Sequence, residues 1–92
     1  MAINKNCLLK LKEIGLPMQI EVVKNKQVLA NATIHDDGTV YCSTNGITYN
    51  CPSLLRDKFI GSNLGTYKHL RRVEDKETLH EKGVRPANIT IL

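Results

Sequence analysis

Ninety-two residues suffice for one domain around one modest core and exclude a second. A hydrophobic fraction of 41% with 24% charged residues belongs to a globular chain and excludes a disordered tail. The net charge of +4 excludes an acidic mimic of nucleic acid, and no run of about 18 uncharged apolar residues is present to cross a membrane. The start, Met1-Ala2-Ile3-Asn4-Lys5-Asn6, leads into a charged amphipathic segment with no signal-peptide core. A single cytoplasmic domain over 1–92 is expected, with its core in about 5–73 and residues 74–92 as a C-terminal segment.

In chain order, Cys7, Leu8, Leu11 and Ile14 recur at the three-and-four spacing of one helical face, with Asn4 or Asn6 to cap its start and Gly15 to close its end. Pro17 prevents continuation, and Met18, Ile20 and Val22 alternate with Gln19 and Glu21 as in a half-buried strand. Lys24-Asn25-Lys26 reads as a hairpin turn. From Gln27 to His35 the period is two, with Val28, Ala30, Ala32 and Ile34 on one side and Leu29, Asn31, Thr33 and His35 on the other.

Asp36-Asp37-Gly38 is a turn, because Asp bonds its own backbone and Gly accepts positive φ. Strand-like Thr39 to Ser43 follows, then the turn Thr44-Asn45-Gly46 and the strand Ile47-Thr48-Tyr49. Asn50-Cys51-Pro52-Ser53 announces a helix that Gly61 ends. Tyr67, Leu70 and Val73 lie three apart in a segment open to either helix or strand. The last nineteen residues are compatible with an exposed helix, a return edge strand or partial disorder. These elements compose an α+β fold: a small curved antiparallel sheet of three to four meandering strands, an N-terminal helix lying on it, and a short second helix closing the far side.

Charge is unevenly placed. Residues 1–46 carry five Lys against four acids, and residues 74–92 three bases against four acids. Residues 47–73 hold Arg56, Lys58, Lys68, Arg71 and Arg72 against Asp57 alone, a local +4 that can draw phosphates by counterion release. The three cysteines, Cys7, Cys42 and Cys51, are odd in number and irregular in spacing, which suits free thiols in a reducing compartment. Cys42, Cys51, His69 and His80 lack the close pairs of a zinc site, and no cofactor motif occurs; Gly61-x-x-x-Gly65 lacks the ending of a phosphate-binding loop. His35, Asp36 and Asp37 would be the residues of a small hydrolase, but the turn accounts for both acids and a surface position for the histidine.

Several elements together carry a resemblance. Leu8-x-x-Leu11-x-x-x-Gly15-Leu16 is followed by Asp37-Gly38-Thr39-Val40, Gly46-Ile47-Thr48-Tyr49, Pro52-Ser53-Leu54-Leu55 and Gly61-Ser62-Asn63-Leu64-Gly65-Thr66-Tyr67. In that order, over about residues 6–73, they resemble the restriction enzyme and adenine methylase associated domain. Cys51 stands where that family has the first serine of Ser-Pro-Ser, Leu64 intrudes between Asn63 and Gly65, and Tyr67 stands where a tryptophan is usual. The resemblance implies a non-catalytic DNA contact.

The expected contact surface is Ser53, Arg56, Lys58, Ser62, Asn63, Lys68, Arg71 and Arg72: the amides of a helix start framed by basic side chains, with Asn63 or Arg71 in reach of a base edge. Four aromatic residues are few for stacking single strands, so duplex DNA is the expected partner. The alternative is a protein-interaction module of the kind a phage uses as a regulator docking on a host protein. It would work through an open strand edge or an exposed apolar patch of Val84, Ile89, Ile91 and Leu92.

Overall fold

The computed structural model describes residues 3, 5–61 and 66–86. The first amphipathic stretch forms helix α1 (Lys5–Ile14), which buries Cys7 and Leu11 and leaves Leu9 exposed. Gly15, at φ 133°, closes it by donating its amide to the Leu11 carbonyl at 2.9 Å. Strands β1 (Met18–Lys24), β2 (Gln27–Ile34), β3 (Val40–Cys42) and β4 (Ile47–Tyr49) follow as a meander, then helix α2 (Pro52–Phe59) and strand β5 (Leu70–Arg72). The sheet is antiparallel throughout, in the order β4-β3-β2-β1-β5. The fifth strand exceeds the three to four expected. Its sequence reads equally as helix, and pairing with the free edge of β1 decides the matter.

Register aligns the apolar positions. Ile20, Ala32 and Cys42 stand side by side, as do Met18, Ile34 and Val40, and all are buried. The opposite face carries Gln19, Asn31, Thr33, Tyr41 and Thr48, so the sheet has one dry side and one largely polar side. Leu11 and Cys7 of α1 and Leu55 of α2 join the same core cluster as the dry face. Both helices therefore cover that one face, giving two layers rather than a helix on either side.

The core extends past residue 73. Leu79 and Val84 are fully buried, and burial of each such side chain contributes about 1.5–3 kcal/mol. After β5 the chain reverses, bridges Thr78 to Arg71 and donates the Leu79 amide to the Leu70 carbonyl. Val84 thus belongs to the interior and not to a surface patch, which corrects the expectation for it; Ile89, Ile91 and Leu92 lie outside the described residues. Among the described residues no helix is long and apolar enough to cross a membrane.

Candidate nucleic-acid interface

The basic residues expected to frame one surface have different fates. Arg56 is 5% exposed. Its Nε and Nη2 donate to Asp57 Oδ1 at 3.1 and 2.9 Å, its Nη1 donates to the Thr66 carbonyl at 3.2 Å, and its guanidinium lies 5.6 Å from the centre of the Tyr67 ring. Ser53 is buried too, its Oγ 2.7 Å from the Tyr67 hydroxyl. Cys51 holds the N-cap position of α2 with no side-chain cap bond, and Cys51, Pro52 and Ser53 are all buried. The start of α2 therefore faces inward, and Ser53 and Arg56 fasten the Tyr67 segment to the helix.

Arg71 and Arg72 are half-buried and engaged. Arg71 Nη2 lies 2.6 Å from Glu21 Oε1, and Lys76 Nζ reaches the same oxygen at 3.0 Å. Burial raises the Glu21 carboxyl and these two cations outweigh it, leaving its pKa below the ordinary 4.5. Arg72 contacts Glu74 at 3.1 Å and Asp75 at 3.3 Å. Lys82 also bonds Asp75, which is held down at about 2, with the Lys82 hydrogen bond as the main cause, and lies 3.3 Å from Glu77. The arginines thus bind the 73–82 reversal to the sheet. Ser62 and Asn63 lie outside the described residues.

Lys58 and Lys68 remain exposed and, among the described residues, outside the ion pairs. Lys68 acquires company that the sequence did not show. Strands β1 and β5 pair Val22 with Leu70, and the Val23 amide donates to the His69 carbonyl at 2.8 Å. The chain turns at 67–70, so Lys68 is the neighbour of His69 there and Lys24 the neighbour of Val23 on β1. Lys26 stands two residues further, at the hairpin tip, where Asn25 and Lys26 adopt φ 52° and 67° as a two-residue reversal requires. Lys24, Lys26 and Lys68 are exposed and form no ion pair among the described residues.

Charge counting along the sequence hid this cluster. Residues 1–46 look nearly neutral, yet Glu21 is engaged by Arg71 and Lys76 from the far end of the chain, so it does not offset Lys24 and Lys26. The only advance signal was the Lys-Asn-Lys turn itself.

The remaining polar groups play local parts. Thr39 donates its amide and hydroxyl to Asp37 Oδ1 at 2.9 and 2.7 Å, and the His35 amide donates to the Thr39 carbonyl at 2.8 Å, so these residues build the β2–β3 turn. Cys7, Cys42 and Cys51 are buried and form no disulfide, and burial pushes the Cys7 thiol above its ordinary value. Among the described residues no group of three or more His, Cys, Asp or Glu is arranged to hold a metal. No family model, curated protein or solved structure matches this chain.

Proposed function

We propose that the chain is a non-catalytic domain that binds duplex DNA through its phosphates. The observation that carries this reading is where the charge excess resides. Arg56, Arg71, Arg72, Lys76 and Lys82 are held by carboxylates, whereas Lys5, Lys12, Lys24, Lys26, Lys58 and Lys68 stand exposed and outside the ion pairs among the described residues. Unpaired exposed lysines release condensed counterions on meeting phosphate, which gives sequence-independent affinity that falls with salt. Membership of the restriction enzyme and adenine methylase associated family, resting on the resemblance over 6–73, belongs to the same proposal.

The test is fluorescence anisotropy of labelled duplex DNA at about 50 and 200 mM salt, where several phosphate contacts lower affinity tenfold or more. Binding with that dependence supports the reading. No binding at the lower salt overturns it.

A second reading has its own observation. Residues 38–55 contain no charged side chain, and they supply the sheet edge β4 together with exposed Tyr41 and Ile47. An edge without charge invites an added strand from a protein partner. Partner capture indifferent to salt and abolished by Thr48→Lys would favour it.

A further inference from the structure

The β1–β2 hairpin departs from the rest of the sheet. Hydrogen bonding to β3 ends at Asn31, whose carbonyl accepts from the Ser43 amide at 3.0 Å and whose amide donates to Thr44 Oγ1 at 2.9 Å. Bonding on the other side ends at Val23, whose amide donates to the His69 carbonyl at 2.8 Å and whose carbonyl lies 3.0 Å from His69 Nδ1. Among the described residues, the main chain of 24–30 is therefore bonded only within a two-stranded ribbon.

A register shift between Val22 and Val23 marks its base: Val22 faces Ala30 while Val23 faces Val28, so Leu29 is an extra residue on β2. That bulge breaks the period of two and turns Val28, which shares its phase with buried Ala30 and Ala32, to the outside at 47% exposure. The ribbon then runs Lys24-Asn25-Lys26-Gln27-Val28, every residue exposed. Its exposed part ends there, since Leu29 packs against the core and Ala30 is buried. A major groove is about 12 Å wide and about 8.5 Å deep, and admits a two-stranded ribbon.

We infer that the β1–β2 ribbon is the element that enters the major groove of duplex DNA, with Lys24, Lys26 and Lys68 on phosphates and Asn25 and Gln27 toward base edges. The inference rests on the DNA reading above and names the surface that serves it. Charge complementarity selects the occupant, since three unpaired lysines meet a polyanion. The residue types select the contact: amide side chains at the tip make paired hydrogen bonds with adenine, which lysine alone does not. Lys68, next to the His69 whose carbonyl accepts from Val23, adds a third unpaired lysine beside the base of the ribbon.

The experiment compares the full chain with Lys24→Ala/Lys26→Ala/Lys68→Ala and with Asn25→Ala/Gln27→Ala, by anisotropy on labelled duplexes of high and low A·T content, with thermal melts to verify folding. The triple variant is expected to lose tenfold or more in affinity at about 50 mM salt and to flatten the log–log salt slope by about 2–3. The amide variant is expected to lose the wild-type preference for A·T-containing sites. If the wild-type chain binds duplex DNA and the folded triple variant binds it equally well with the same slope, the ribbon assignment falls while the DNA reading stands. If the wild-type chain binds no duplex, both fall. Equal affinity of wild type for every duplex removes the base contacts.

Discussion

Glu21 and Arg71 are matched twice: they stand opposite each other in the β1–β5 ladder, and their side chains meet at 2.6 Å on the outer face of the sheet. Burial leaves the Glu21 side chain only 7% exposed, so its charge is tolerable only with the cations that cover it. Glu21→Gln is expected to cost roughly 1.5–3 kcal/mol at neutral pH, the range for hydrogen bonds to charged groups. Because the folded pKa lies below the ordinary 4.5, the stabilisation is fully present above that value and is lost as pH falls through the folded one. Chemical denaturation from pH 7 to 3 should show a steep acid limb in the wild type and a shallower one in the variant. Superimposable profiles would contradict this role.

Tyr67 joins three segments, touching Ser53 of α2 through its hydroxyl and lying under Arg56, with Cys7 of α1 also hydrogen-bonded to it. Tyr67→Phe keeps the ring and removes the hydroxyl, leaving the Ser53 Oγ buried without that partner. The expected loss is about 1–3 kcal/mol in urea unfolding, with the transition still two-state. An unchanged midpoint would show that the hydroxyl is dispensable.

How far the sequence disclosed this molecule depends on whether the relevant force was local. α1, the four meander strands, the three turns between them and α2 follow from period and turn chemistry, and each was legible. β5 was not, because three residues spaced by three satisfy either template until β1 offers an edge. Val28 shares its phase with buried Ala30, Ala32 and Ile34 yet lies outside, because a bulge at Leu29 leaves no trace in an otherwise unbroken alternation. The candidate site was harder still. Five clustered bases in 47–73 read as one surface, but which of them remain free depends on Glu21, Asp57, Glu74 and Asp75, and Glu21 lies 50 residues from Arg71. Only Lys58 and Lys68 of that set survive as unpaired exposed cations among the described residues, and the bond between Val23 and His69 that brings the segments of Lys24 and Lys68 together spans 46 residues.

Burial of all three thiols governs their chemistry. Desolvation raises Cys7 above its ordinary value, which keeps it protonated and unreactive at neutral pH. Ellman's reagent should label none of the three cysteines rapidly in the folded protein and all three in denaturant. A fast-reacting thiol under native conditions would place at least one of them at the surface.

Lys26 separates folding from binding in a single substitution. It sits at φ 67°, where a side chain costs roughly 1–2 kcal/mol that glycine avoids. Glycine's extra freedom in the unfolded chain returns roughly 0.4–1 kcal/mol of that gain. Lys26→Gly should therefore leave stability equal or raise it by up to about 1.5 kcal/mol, because Asn-Gly is the favoured tip of such a reversal. The same change removes the charge at the end of the ribbon and should weaken duplex binding while lowering the magnitude of the salt slope by about 1. A lysine charge at a position where glycine folds better has no structural purpose, so the two measurements together discriminate: a more stable variant that binds DNA less tightly marks the hairpin tip as a contact, and a more stable variant that binds with unchanged affinity and slope moves the contact elsewhere on the domain.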